Sequence, residues 1–257
     1  MTIKERIHYA TVSLRAWKLF VTHPLFTISL LARRLAFTFT RRFCGETLTS
    51  PVTGEAIFNI QSLINYWSIH ACRELGEEWH PALRESVRPV VFDVGANMGQ
   101  IGRLILSINP AAQIIAIEPW PEMKDFNRHA ATLFPFAVGP APGSVKLTRS
   151  RGGWTASTSP DFYDGITMEA KMVTLDSLWQ QLNCPEVDIL KIDVDGAEAD
   201  VLAGAGGILK HTSTIIVEAL SPEARSALPS GFSWRTHNGC DWIGQRHVVS
   251  GGPKANP

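Results

Sequence analysis

Val90-Val91-Phe92-Asp93-Val94-Gly95-Ala96-Asn97-Met98-Gly99-Gln100-Ile101-Gly102 is the stretch that decides the fold. Its apolar, β-favouring start reads as a strand covered on both faces, and the glycines after it let the backbone turn sharply and approach a ligand. A helix follows without a linker. Ile101, Leu104, Ile105 and Ile108 repeat at i, i+3, i+4 and i+7, and Asn109-Pro110 ends the pattern. Strand, glycine turn and helix N-terminus in this order form the binding corner of a doubly wound α/β sheet.

Asp93 narrows the choice of ligand. A dinucleotide would set its pyrophosphate at this turn, and a carboxylate about 4 Å away would repel it by roughly 4 kcal/mol at an effective dielectric near 20. S-adenosylmethionine, with an ammonium and a sulfonium, is attracted by the same acid. The glycine spacing agrees: a Gly-x-Gly-x-x-Gly match starting at Gly95 needs glycine where Asn97 and Gln100 stand. A second strand, Gln113 to Ile117, ends in Glu118-Pro119, 25 residues after Asp93. That is the place for an acid accepting hydrogen bonds from both ribose hydroxyls, each contributing about 1.5–3 kcal/mol.

The rest of the chain supplies further strands. Leu133 to Val138 marks the third, followed by the loop Gly139-Pro140-Ala141-Pro142-Gly143, and Val145 to Leu147 reads as an added strand. Leu175, Leu178, Trp179 and Leu182 share one helical face. Val187 to Ile192 is the fourth strand and Thr214 to Val217, ending in Glu218, the fifth. Ser221-Pro222-Glu223 is a cap with proline in the first helical turn. Phe232 to Thr236 and Trp242 to Val249 supply two closing strands, with His237 in the turn between them.

Five blocks together resemble the FkbM-type methyltransferases: Asp-Val-Gly-Ala-Asn-Met-Gly at 93–99, Ala-Ile-Glu-Pro at 116–119, Ala-Val-Gly at 137–139, Val-Thr-Leu-Asp at 173–176 and Leu-Lys-Ile-Asp-Val-Asp-Gly-Ala-Glu at 190–198. The likeness runs from about residue 88 into the segment from Asp241 to His247. It implies a class I methyltransferase fold, a Rossmann-like, mostly parallel sheet with its last strand antiparallel. The activity it implies is methyl transfer from S-adenosylmethionine to oxygen on a carbohydrate or another hydroxylated natural product. Residues expected at the cofactor are Asp93, Gly95, Ala96, Asn97, Gly99, Glu118, Pro119, Val138 and Asp193. Two positions differ from the family's usual pattern: Asp195 stands where Glu is common, and Pro140 where an acid is common.

The end of the fourth strand carries the densest group of ionisable residues, Asp193, Asp195 and Glu198 around Gly196, with Lys191 just upstream. In an open α/β sheet this strand end faces the first across the switch-point crevice. Methyl transfer is an in-line displacement at carbon, so the protein mainly positions the acceptor and removes its proton. Asp193 is the first candidate for base or acceptor-orienting group, with Asp195 and Glu198 able to share that work. Clustered carboxylates raise one another's proton affinity, whereas Lys191 damps the effect by pairing with an acid. A helix N-terminal acid is the structural alternative for Glu198. Three acids could also hold a divalent cation that lowers the acceptor's pKa, although no His or Asn stands among them. Glu218 could join either scheme. In the run from Arg151 to Ser159, Trp154 is the residue expected to stack on a sugar ring.

The chain has 257 residues and 45% hydrophobic content, ordinary values for one globular core. Cys44, Cys72, Cys184 and Cys240 are too far apart for a zinc or redox motif, which favours inert thiols in a cytoplasmic setting. Formal neutrality hides an asymmetry. Residues 1–43 hold eight basic side chains against one acid, and the remainder carries the balancing negative charge. Accordingly 1–80 reads as a basic, mainly helical extension and 81–257 as the catalytic domain. The run from Leu19 to Ala32 is broken by His23-Pro24 and falls short of the roughly 20 apolar residues that span a bilayer. Tyr9, Val12, Ala16, Leu19 and Phe20 fit either a helix lying in a membrane interface or one packed on the catalytic domain. A transit peptide is a third, weaker reading of the same basic segment. Asn59 can cap a helix bearing Ile60, Leu63, Ile64 and Trp67, and the turn-forming run from Thr49 to Glu55 can join two short strands. No nucleic-acid partner is expected. A dinucleotide-dependent sugar oxidoreductase and a catalytically silent, membrane-tethered scaffold are the alternatives.

Overall fold

The structure is a computed structural model that describes residues 82–97, 99–120, 132–149, 156–157, 167–237 and 241–247, together with 25, 28, 29, 32, 48–49 and 56–57. The basic face of 1–43, the Asn59 helix, the boundary near residue 80 and Trp154 lie outside the described residues.

The first strand pair, β1 (Leu48–Thr49) and β2 (Ala56–Ile57), is antiparallel and flanks the expected turn. The catalytic fold begins at β3 (Val90–Val94) and runs through helix α1 (Gln100–Ile108) to β4 (Gln113–Ile117). Next come β5 (Thr132–Phe134), β6 (Ala137–Val138), β7 (Gly143–Arg149), β8 (Ala156–Ser157) and β9 (Thr167–Val173). Helix α2 (Leu175–Leu182), β10 (Val187–Ile192) and the short helix α3 (Glu198–Ala203) follow. The chain closes with β11 (Thr212–Glu218), α4 (Pro222–Ser226), β12 (Phe232–His237) and β13 (Asp241–Arg246).

Seven strands form the main sheet in the order β12-β13-β11-β10-β3-β4-β5. The β5-β4-β3-β10-β11 pairs are parallel, and β13 enters antiparallel to both of its neighbours. This is the class I methyltransferase sheet that the sequence predicts. Both faces are covered. Val91, Ile114, Ile189 and Ile216 pack with Ile101 and Ile105 of α1, while Phe92, Ile115, Leu190 and Ile215 pack with Leu175, Leu178, Val201 and Leu202. Alternate residues of each strand thus meet opposite helix layers, which is why the strands read as continuous apolar runs.

Three expectations change. The single strand expected over 133–138 is two: β5 joins the main sheet, but β6 pairs with β9 in a second sheet of order β6-β9-β7-β8. Strand β9 has no counterpart in the sequence reading. His237 is the last residue of β12, paired opposite Asp241, rather than a turn residue.

Candidate functional site

The glycine turn after β3 is shaped by three left-handed residues, Gly95 (φ 77), Asn97 (φ 47) and Gly99 (φ 73). The amides of Gly95 and Ala96 both donate to the carbonyl of Ile117, folding the turn over the end of β4. A Cβ on Gly95 would lie 1.8 Å from the carbonyl oxygen of Asp193, so only glycine lets the turn rest against the end of β10. The Asp193 amide in turn donates to the Val94 carbonyl at 3.1 Å. Gly99 caps α1 without a side-chain hydrogen bond, and no acid stands in the first turn.

Glu118 fixes the other wall. One carboxylate oxygen accepts the Asn97 amide at 3.0 Å and the other the Trp120 amide at 2.9 Å. Each oxygen keeps a second lone pair for a ligand hydroxyl. Burial pushes the Glu118 carboxyl up, against the two amides that pull it down. Pro119, next to it, is half-buried, as is Val138, which packs against the core below the Gly139 turn.

Asp93 lies beneath the turn. It is fully buried, one residue short of the strand's end, and faces Lys191 directly across the β3-β10 ladder, with the ammonium 3.3 Å from its carboxylate. Desolvation raises its proton affinity and Lys191 opposes the rise. A neighbouring cation largely cancels the field of Asp93 at the crevice. Lys191 also lies 3.1 Å from Asp193, whose side chain is 42% exposed. It is thus a buried bridge between the two acids.

Glu198 also turns inward. Its Oε1 accepts the amides of Val194 and Gly196 at 3.2 and 3.0 Å, and its side chain is buried. It holds the loop that presents Asp193 and Asp195 and does not itself face the crevice. Asp195 occupies the left-handed region at φ 51, followed by Gly196 at φ 105. Burial, reinforced by Asp193 and Glu198, pushes the Asp195 carboxyl up to about 7. Glu218, at the end of β11, is pushed up to about 10, chiefly by Asp193, then by burial, Asp241 and Asp195. Asp241 was not singled out in the sequence. It arrives only through the antiparallel register that sets it opposite Glu218, a long-range pairing no local pattern encodes. Among the described residues no group of three His, Cys, Asp or Glu side chains is arranged to hold a metal ion.

Two of the sequence blocks support the site from behind. Thr174 caps α2, accepting from Ser177, and Asp176 accepts the amides of Gly207 and Ile208 at 2.7–2.9 Å. A Cβ on Gly204 would meet the Gly139 carbonyl at 2.2 Å, so the Ala-Val-Gly turn and the end of α3 pack backbone to backbone.

The profile of the Methyltransferase FkbM domain matches residues 93–235. Hexuronic acid methyltransferase AglP of Haloferax volcanii is 27% identical over 189 residues, covering 66% of this chain and 75% of that protein. 2-O-methyltransferase NoeI of Sinorhizobium fredii is 29% identical over 161 residues, covering 53% of this chain and 65% of that protein. Among solved structures, the METTL16 MTase domain aligns with a TM-score of 0.45 at 9% identity, over 88% of this chain and 94% of its own.

Proposed function

The chain belongs to the FkbM methyltransferase family and is a methyltransferase; from that premise we propose that it moves a methyl group from S-adenosylmethionine to a hydroxyl oxygen of a carbohydrate. The observation that carries this reading is the contact of the Gly95 turn with Asp193, where a Cβ would fall 1.8 Å from the carbonyl. The cradle for the methyl donor and the acids that handle the acceptor thereby open onto one crevice. Similarity to two relatives named for hexuronic acid and for 2-O methylation supports a sugar hydroxyl as acceptor.

The residues fit the donor. Glu118 retains lone pairs for the two ribose hydroxyls, the left-handed turn at 95–99 leaves room for close backbone approach, and Asp193 offers a partly exposed carboxylate to a cationic group. Bound S-adenosylmethionine supplies a methyl carbon already activated by its sulfonium. The chain's own work is then to orient the acceptor hydroxyl and take its proton. Asp195, poised at about 7, is the better base at neutral pH, and Asp193, tied to Lys191, the orienting group.

Titration calorimetry with S-adenosylhomocysteine and with NAD(P) tests the donor, and binding of the dinucleotide alone would overturn it. Mass spectrometry of cell extract incubated with the enzyme and isotopically labelled donor identifies the acceptor. Label on a glycan or glycolipid is expected; label confined to protein or nucleic acid would refute the carbohydrate reading. Cofactor binding without label in any acceptor would favour a silent scaffold.

We further propose that the N-terminal segment docks on an anionic membrane surface. Leu25 and Ile28, both helical, are 82% and 50% exposed rather than packed on the catalytic fold, and the segment around them is strongly basic. Among the described residues no helix is long and apolar enough to cross a membrane.

A further inference from the structure

The closing hairpin brings a carboxylate to the candidate site. In the parallel ladder Ile192 pairs with Val217, so the residues that follow, Asp193 and Glu218, emerge side by side at the carboxyl edge of the sheet. In the antiparallel ladder Glu218 pairs with Asp241. On the other flank Lys191 pairs with Asp93. Residues directly opposite in a ladder, and residues two apart on a strand, share a face. Asp93 and Lys191, and one step further along the strands Asp193, Glu218 and Asp241, consequently share one face across four neighbouring strands.

Asp193 and Glu218 each follow the paired Ile192 and Val217, which brings two carboxyl groups together at the ends of adjacent strands. Two carboxyl groups can share a hydrogen bond only when one of them carries a proton, because an ionised carboxylate has no donor. The surroundings decide which. Asp193 has the Lys191 ammonium at 3.1 Å beside it, whereas Glu218 has an acid directly across the ladder. Among the described residues, those that push Glu218 up are Asp193 and Asp195 from the end of β10 and Asp241 from β13.

We propose that Glu218 is a positioning residue that works in its protonated form, donating to Asp193 so that this carboxylate is clamped between a carboxyl and an ammonium, and that Asp241 on the closing strand keeps the proton on Glu218. Strand β13 thereby has a share in catalysis as well as in closing the sheet. The assignment rests on the methyltransferase reading for its catalytic consequence but not for the placement of the proton. The direction of the Glu218 shift, strongly upward, accords with it.

The test has two arms. In carbon-13 NMR of protein labelled at the glutamate carboxyl carbon, one signal, identified by its loss in Glu218→Gln, is expected to stay at the protonated position at pH 7. Its midpoint should move down in Asp241→Asn and in Asp193→Asn. A Glu218 signal that titrates with the ordinary glutamates near about 4.3 overturns the proposal. In the second arm, methyl transfer is followed against pH with the acceptor found by labelling. Glu218→Gln, which retains an N–H donor, is expected to keep most of the turnover lost by Glu218→Ala, whose loss should be roughly tenfold to a hundredfold. The wild-type rate should also decline as Glu218 ionises at high pH, and Glu218→Gln should lack that limb. Equal inactivity of the two variants, with S-adenosylhomocysteine affinity intact, overturns the proposal. Failure of the wild-type protein to bind S-adenosylhomocysteine would instead sink the methyltransferase reading and leave the NMR arm standing.

Discussion

Asp195 illustrates how a residue can be tuned at the expense of stability. Its folded-state carboxyl binds a proton more tightly than the unfolded one, with a midpoint raised from 3.8 to about 7. A proton-rich folded state loses stability as pH rises between those two values. A shift of this size sets a ceiling of about 4 kcal/mol, which partial exposure cuts to about 1–2 kcal/mol. Asp195→Asn should therefore stabilise the protein by that amount at pH 8 and by little at pH 4, read from urea midpoints, while reducing methyl transfer. Equal gains at both pH values would show that charge is not the cause. Glycines permit a sharper comparison. Gly95→Ala meets both a positive φ and the Asp193 carbonyl and should cost more than about 3 kcal/mol, whereas Gly196→Ala, with open space around it, should cost only the backbone strain of about 1–3 kcal/mol. Thermal melts of the two variants decide it; equal losses would refute the close approach. At this scale the sequence announces which side chains are ionisable and roughly where they gather. It does not announce their partners: Lys191 neutralises Asp93 across a ladder, and Glu198 spends its carboxylate on two backbone amides.

Elements were legible wherever their periodicity was strong. Helix α1 ends at Ile108 with Asn109 as its C-cap, at the Asn-Pro break, and α2 and α4 start at a Thr and a Ser cap. Strand β9 is weakly signalled because Thr-Met-Glu-Ala-Lys-Met-Val has little β propensity, although its alternation matches the buried Ala170 between exposed Glu169 and Lys171. The 133–138 run reads as one strand because its break, at Pro135-Phe136, is a change of sheet rather than a change of hydrophobicity. Closing strand β13 ends at Arg246, short of the expected Val249. The Val-Thr-Leu-Asp block acquires a physical meaning only in three dimensions. Asp176→Ala leaves the Gly207 and Ile208 amides without their acceptor, and should cost about 1–3 kcal/mol in urea unfolding with S-adenosylhomocysteine affinity nearly unchanged. A loss below about 0.5 kcal/mol would mean that water replaces the carboxylate freely.

On the scale of the whole molecule, charge is divided unevenly between a basic N-terminal segment and an acidic remainder. If the segment docks on lipid, the full chain should sediment with anionic vesicles and be released by salt, because exposed charges are screened within about 8–10 Å at physiological ionic strength. A chain beginning at Glu46 should stay in solution; equal sedimentation of both would refute docking. The sheet with its antiparallel closing strand was legible through the family resemblance, because strand periodicity and right-handed crossovers alone leave the strand order open. The second sheet was not, since it depends on β6 leaving its neighbours to meet β9. That departure has a geometric corollary. Val138 and Val173 stand side by side in a parallel pair, so the excursion begins and ends one strand spacing, about 4.8 Å, apart. The segment between them leaves and rejoins the fold at adjoining points, so a change in its length need not move either end.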